Sequence, residues 1–311
     1  MKQDEGLPAP KGEPVAVQPY LSNHKKKKRR NFGPLWTVSP VALWLTVFIL
    51  APILLITIVS FMKRGLYGGI EYAFTIENYT RFLDPLYFKV LWVSVVISLL
   101  TTVICLLFGY PFAYFIARTS VKYRTILLFL VIIPFWTNSL IRTYAWIVLL
   151  RTEGVLNNIL INIGVISEPL KLLYNDGAVL IGLVYTLFPF MILPLYTSIE
   201  KLDKSYLEAA GDLGATPWQA FLHVTLPLTM PGIFAGSLLV FIPALGLFFI
   251  PDLMGGAKTM MIGNLIKNQF LTARDWPFGS ASSIIIMVLT LIMIAVYLRI
   301  SGGKKDDLEM M

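Results

Sequence analysis

The sequence predicts an all-α, polytopic membrane protein with six transmembrane helices and a water-compatible helix–turn–helix between the fourth and fifth. Composition is the first ground. Of 311 residues, 56% are hydrophobic and only 14% are charged, where an ordinary soluble domain carries roughly 25% charged residues. Distribution is the second. The apolar residues fall in long runs near 39–62, 90–116, 126–150, 178–198, 232–251 and 282–300, and a run of about 18 or more is the length of a bilayer crossing. The third is the polar stretch 201–228, which breaks the pattern with charges that lipid would not accept. Backbone groups in lipid must be satisfied within each segment, so the runs are helices. An outer-membrane barrel would need alternating segments of ~10 residues, and the sequence has none.

Residues 1–38 read as a cytoplasmic tail. Its first part, 1–24, is rich in Pro and polar residues and is expected to be disordered. The cluster KKKKRR at 25–30 carries much of the formal net charge of +8. Lying just before the first apolar run, it is a topology anchor that keeps the N-terminus in the cytoplasm and is attracted to anionic membrane lipid. It is not read as a nucleic-acid contact, and no nucleic acid is expected as a partner. Six crossings return the C-terminal tail, 301–311, to the same side. The inner segments are richer in Lys and Arg than the longer outer loops, which fits this orientation. RRNF at 29–32 resembles a twin-arginine signal, but the run that follows is too long for a signal core and no small-residue cleavage site closes it. The lone cysteine, Cys105, lies mid-span and reads as packing.

The first span, 39–62, is followed by an outer loop, 63–89. Residues 88–300 hold the other five spans and form the functional body. The second and third spans join through a short basic turn at 118–124. Arg142, in the third, is the one ionisable residue well inside a span. It lies about eight residues, or ~12 Å at 1.5 Å per residue, from the outer end. It either snorkels to that surface or pairs with a carboxylate of another subunit. The fourth span holds Pro189 and Pro194, the fifth Pro243 and Gly246. These either kink their helices or mark spans that line a wet path. Gly232 and Gly236 form a small-xxx-small face that suits close helix approach.

Between the fourth and fifth spans, Lys201, Asp203, Lys204, Glu208 and Asp212 would together cost roughly 12–17 kcal/mol at a helix centre in lipid. The stretch therefore stays in water, on the cytoplasmic side. Ser205 and Glu208 are spaced as a capping box, and Gly214 suits a left-handed helix stop. Thr216, Pro217 and Gln219 make a second box with Pro at the favoured first position. Trp218, Phe221 and Leu222 share a face with Leu226 beyond them, and Pro227 and Pro231 are expected to end the helix before the next span. Ala209 and Ala210 are small enough to admit another surface. The alternatives are a loop lying on its own membrane surface, or a DNA-binding helix–turn–helix. The second is opposed by charge, since phosphate contact needs Lys or Arg and the acids outnumber the bases here.

The same residues carry a resemblance. EAA, three residues, Gly, nine residues and Ile-x-Leu-Pro is the pattern of ABC importer permeases. Here it stands as Glu208-Ala209-Ala210, Gly214 and Val224-x-Leu226-Pro227, with Val for Ile the only departure. In that family the element is the coupling helix, which docks into a groove on the ATPase. The resemblance implies that Glu208, Ala209, Ala210, Gly214, Leu226 and Pro227 serve ATPase docking. It also implies two ATP-binding-cassette ATPase subunits as partners, which carry ATP and Mg; no cofactor is expected on this chain. Its nearest approach to a phosphate-binding G-x-x-x-x-G-K-[ST] loop is GGAKT at 255–259. There Asp252 and Ala257 stand where glycines are required.

PFWTNSLIRTYAW (134–146), GLVYTLFPFMILPLYTSIEKLD (182–203), DLMGGAKTMMIGNLIKNQF (252–270) and RDWPFG (274–279) resemble the polyamine (spermidine/putrescine) branch of these permeases. That implies a second, homologous permease subunit, an extracytoplasmic substrate-binding protein, and the bacterial cytoplasmic (inner) membrane as location. Related permeases move Fe(III) or sulfate, which are the alternative substrates. A polycation wants carboxylates and aromatic faces, a desolvated cation–π contact contributing about 2 kcal/mol. The candidates are Trp136, Tyr144, Tyr185, Asp252, Asp275 and Trp276. Against that, Asp252 could be a plain residue at a helix end, Trp276 an interfacial anchor and Trp136 packing. Arg142 would repel a cation. No covalent catalysis or metal site is expected, since His24 and His223 are the only histidines and lack metal-ligand spacing. A secondary transporter or channel working alone would call for an inverted repeat or intramembrane proton carriers, and neither is visible.

Overall fold

The computed structural model describes residues 33–256 and 258–308. Contacts divide the chain into a unit of residues 1–51 and one of 52–311. Helix α1 (Gly33–Ser60) starts within the stretch assigned to the tail. In the first unit its Trp44 and Phe48 rings, one turn apart, lie 4.7 Å from each other. The disordered segment expected at 1–24, KKKKRR, RRNF and the last three residues lie outside the described residues.

In the second unit the chain leaves α1 into an antiparallel ribbon of β1 (Met62–Arg64) and β2 (Ile70–Phe74). This is a departure from an all-helical reading. Gly68 and Gly69 turn the ribbon with φ of +88° and +83°, a region open to glycine without a Cβ clash. Asn78 on α2 (Glu77–Phe82) donates its amide to the carbonyls of Ser60 and Met62, both at 2.9 Å, and fixes where the ribbon leaves the helix.

Helix α3 (Pro85–Arg118) follows, with Asp84 capping it by accepting the Leu86 N–H at 2.9 Å. At 34 residues it is ~51 Å long, more than the ~30 Å hydrocarbon core requires. Helix α7 (Asp176–Glu200) is capped by Asn175, which accepts the Ala178 N–H at 2.9 Å. Helix α10 (Leu226–Gly246) completes the central trio. Gly109 of α3 meets Met191 of α7, and Arg124, just past α3, pairs with Glu200 at the end of α7, so α3 and α7 run in the same direction. Tyr110 of α3 bonds Thr229 of α10 at 2.9 Å, while Gly232 lies against Ser198 and Gly236 against Met191, so α10 runs back along α7 and touches both helices.

The core sits where these helices touch: Cys105, Ala113, Ile116, Met191, Ile192, Leu195, Val240 and Ala244 are almost fully buried. Lipid tails are as apolar as leucine, so tight packing rather than water exclusion holds membrane helices together. The Gly232–Gly236 face does this here. A Cβ on Gly232 would fall 2.4 Å from Ser198 Cβ and 2.9 Å from the Pro194 carbonyl oxygen. On Gly236 it would fall 2.8 Å from Met191 Sδ.

Among the described residues, five helices are long and apolar enough to cross a membrane, or six if one bent pair counts as a single span. That pair is the expected third span, 126–150, and it is not one straight helix. Helix α4 (Val121–Ile132) runs into a 3-10 turn, Ile133–Trp136, and α5 (Ser139–Leu150) leaves it. The bend is 93°. Pro134 tightens the turn, Thr137 donates its hydroxyl to the Pro134 carbonyl at 2.7 Å, and Asn138 starts α5 anew by accepting the Leu140 N–H at 2.8 Å. A short helix α6 (Val155–Asn162) follows.

Two other boundaries move. The fifth span ends at Gly246, and α11 (Phe249–Met254) is a separate short helix before α12 (Ile262–Leu271). The sixth begins at Trp276, not 282, as α13 (Trp276–Leu308), and carries helix into the expected C-terminal tail.

Candidate functional site: the loop between α7 and α10

Helix α8 (Lys204–Asp212) opens the loop. Its cap is Asp203, not the Ser205–Glu208 box that the sequence suggests. Asp203 Oδ1 accepts the Ser205 N–H at 3.0 Å, and the backbone and then side-chain bonds from Ser205 hold its carboxyl below the usual carboxylate range. The end of α8 is as expected. Gly214 stands at φ +82°. Ala215 N–H reaches the Ala210 carbonyl at 3.0 Å and Gly214 N–H the Gly211 carbonyl at 2.9 Å, the paired bonds of a Schellman stop.

The second helix, α9 (Pro217–Ala220), has the expected Thr216–Gln219 capping box. Thr216 N–H donates to Gln219 Oε1 at 2.8 Å, and Gln219 N–H to Thr216 Oγ1 at 3.4 Å. Pro227 and Pro231 do not stop this helix, contrary to expectation. A π-helical turn, Phe221–Thr225, joins α9 to α10, so one helix runs from Pro217 to Gly246. An i→i+5 turn shifts the bonding register, which absorbs the N–H that Pro227 cannot donate.

The loop is fastened to the trio from below. Phe221 meets Tyr110 edge-on at 5.6 Å and stacks on Trp218 at 5.5 Å. A cavity of about 290 Å³ lies under the turn, lined by Tyr114, Leu207, Gly211, Pro217 and Phe221 among others. Glu208, Ala209, Gly214 and Pro227 are exposed. Ala210 is buried, so it shapes the loop and presents no face outward, and Leu226 packs against the core of the trio. Around Glu208 and Ala209 the surface shows Tyr206, Leu213, Trp218 and Leu222, with Leu213 89% exposed. Exposed apolar side chains gathered beside charges suit contact with a protein partner or with the membrane surface.

The proposed path residues fall into separate settings. Trp136 stands 75% exposed on the 3-10 turn and Tyr144 is exposed on α5. Tyr185 of α7 meets Trp146 edge-on at 5.4 Å. It lines an apolar cleft of about 560 Å³ with Arg142, Phe108 and Phe188. The Arg142 guanidinium lies 5.4 Å from the Phe135 ring centre and 5.9 Å from that of Tyr185. Its Nε is buried with no hydrogen-bond partner. The depth reckoned along a straight span does not apply to it, because α5 turns by 93° from α4.

Asp275 is fully buried and is taken by Arg81, 2.7 Å away. It accepts the Phe278 N–H at 3.2 Å and so caps α13, next to Trp276, whose ring meets Phe270. Asp252, on α11, pairs with Lys267 at 2.5 Å. Arg81 and Lys267 are missing from the sequence-derived candidates, because the carboxylates they pair with lie 194 and 15 positions away and spacing does not reveal such partners. Between α11 and α12, within the GGAKT stretch, the Thr259 hydroxyl bonds Asp176.

Comparison with known proteins bears on this geometry. Residues 109–302 match the family described as binding-protein-dependent transport system inner membrane component. The chain belongs to that family. The match takes in the last ten residues of α3, then α7, the loop, α10 and most of α13. The chain is similar to the spermidine/putrescine transport system permease protein PotB of Escherichia coli, 53% identical over 268 residues, covering 86% of this chain and 98% of that one. It is 55% identical over 277 residues to PotB of Haemophilus influenzae, covering 88% and 96%. The inner membrane ABC transporter permease protein YdcU of E. coli is 30% identical, covering 73% and 76%. A crystal structure of a bacterial alginate ABC transporter, in complex with an alginate-bound periplasmic protein, shares the fold with a TM-score of 0.70 at 20% identity, covering 88% of this chain and 94% of that one. Family membership makes the chain a membrane-embedded transport component and not an enzyme.

Proposed function

We propose that this chain is a permease subunit of an ATP-driven importer for polyamines. The observation that carries the reading is the loop: a capped, Schellman-closed knuckle with Glu208 and Ala209 turned outward, rooted directly on a helix that crosses the membrane. Polyamine as the substrate class is supported by the identity with two PotB proteins over nearly their whole length.

In this reading two ATP-binding-cassette subunits, holding ATP and Mg, grip the knuckle in the cytoplasm. A second permease of the same family completes the pathway, and an extracytoplasmic binding protein delivers the substrate. Both termini face the cytoplasm. ATP binding draws the ATPases together, the knuckle moves with them, and the pathway opens alternately to the two sides. This chain's own residues supply shape and orientation and no bond chemistry.

The test is uptake of labelled spermidine by proteoliposomes carrying the complete complex, with and without ATP. ATP-dependent uptake is expected, and uptake by this chain alone without ATP would refute the reading. Glu208→Lys should reduce uptake at least tenfold while membrane insertion, followed by protease protection, stays normal. Unchanged uptake would remove the knuckle from the docking role.

A further inference from the structure

Two carboxylates near the α11–α13 region are paired with cations of this chain, in different ways. Asp275 has a side chain only 1% exposed. Its partner Arg81 lies 4.2 Å from the Phe278 ring centre and 5.6 Å from that of Tyr87, and donates to the Tyr87 hydroxyl at 3.1 Å. Burial alone would lower the Arg81 pKa, but the bonds to Asp275 and Tyr87 outweigh it and raise it. A planar fork clamped between rings and a carboxylate is a fixture.

Asp252 is held otherwise. Asn264, itself 2% exposed, donates to Asp252 Oδ1 at 2.5 Å and to the Phe248 carbonyl at 2.7 Å. Its own Oδ1 accepts the Met261 N–H at 3.2 Å. A buried amide thus orients the carboxylate from behind, whatever sits in front. In front is Lys267 Nζ, 2.5 Å from Oδ2, with the two side chains 25% and 31% exposed. No ring stacks on this ammonium among the described residues. It is a compact primary ammonium on a flexible four-carbon stem, the group that ends a polyamine.

We infer that Lys267 is a tethered stand-in for the substrate's ammonium: a terminal ammonium of the polyamine displaces it from Asp252 Oδ2, and Lys267 returns when the substrate moves on. The inference rests on the polyamine reading above. One ammonium replaces another at Oδ2 while Asn264 keeps its bond to Oδ1, so the carboxylate stays paired throughout. A tethered group competes at an effective concentration of about millimolar, so Lys267 weakens retention and favours release. It also sets selectivity, because an ammonium lacking N–H cannot take over the hydrogen bond to Oδ2. Asp252 lies one short break beyond Gly246, where the helix from the knuckle ends, so the exchange sits at the far end of the moving element.

Two experiments on the complete complex in lipid nanodiscs or proteoliposomes test this. The first is reductive methylation of Lys267, followed by mass spectrometry with Lys258 as internal standard. Spermidine should raise Lys267 labelling about threefold or more in the wild type. In Asp252→Asn labelling should be high from the start and indifferent to spermidine. The second is uptake at saturating binding protein. Lys267→Met should lower KM about three- to tenfold and also lower kcat. Asp252→Asn should raise KM, and the double variant should behave as Asp252→Asn alone. Lys267→Arg, whose planar fork grips a carboxylate with two N–H groups, should be harder to displace and should raise KM. Labelling of wild-type Lys267 that spermidine leaves unchanged or reduces would overturn the inference. So would a Lys267→Met complex with normal KM and reduced thermal stability, the behaviour of a structural clasp. Failure of the wild-type complex to take up spermidine would instead sink the polyamine reading.

Discussion

The Arg81–Asp275 pair joins residues 194 positions apart, and it shows what a single residue can hold. Asp275 neutralises a cation, caps α13 and takes part in a turn where Arg274 stands at φ +50°. Arg81→Met would leave that carboxylate buried and alone. Breaking a buried pair from one side costs about 3–5 kcal/mol, and with Arg81 39% exposed the loss should fall near the low end. Thermal unfolding in detergent should show it, and Asp275→Asn in the same background should restore part. At this scale the local devices were legible, since Gly214 and the Thr216–Gln219 box need only neighbours a few residues away. The Asp203 cap was not, because Ser205–Glu208 fits the same rule two residues later and only the path of the chain out of α7 decides between them. Long-range partners such as Arg81 and Lys267 leave no trace in spacing.

Among the elements, apolar length placed five of the crossing helices closely. Their ends went astray where backbone geometry, not hydropathy, sets them. The third span is the clearest case. An apolar run does not report direction, and only Pro134 followed by Thr137 and Asn138 hints at a corner. Asn138→Ala should remove the α5 cap, with a cost of about 1 kcal/mol, and distance measurements between spin labels on α4 and α5 should broaden. Pro227 misled in the opposite sense, because a π-turn lets the helix pass it. The Gly232–Gly236 face, weak evidence in a sequence, is here a seam without spare room. Gly236→Leu should force α10 off α7 and lower stability by about 1–3 kcal/mol or more, read as a fall in Tm. Gly236→Ala should cost less, since its single methyl meets the flexible end of Met191 first.

For the molecule as a whole, the membrane class, the number of apolar runs and the family were readable because each is written in local pattern: run length, and the EAA-x3-G spacing. The path was not, since a path is made by what faces what across helices. Tyr185 lines the cleft by the bend with Arg142, Trp136 and Tyr144 stand exposed outside it, and Asp252 and Asp275 are each engaged by a cation of the same chain. A pathway shared between two permeases would take half its wall from the other chain, so Arg142, whose Nε has no partner here, is a place to look for a carboxylate contributed from across the interface. Arg142→Met should then weaken assembly of the two permeases, seen as loss of co-purification, more than it weakens folding of this chain.

The helix that passes Pro227 without stopping has a mechanical meaning. Thirty residues from Pro217 to Gly246 make a strut of ~45 Å, with its foot in the loop and its head one short break before the helix that carries Asp252. Its helical run is unbroken, and the π-turn at Phe221–Thr225 with Pro231 and Pro243 are where it can flex. With Gly232 and Gly236 bearing on α7 as a fulcrum, any displacement of the foot at Pro217 would return as an opposite tilt of the head at Gly246, so the loop and the far end answer to one lever.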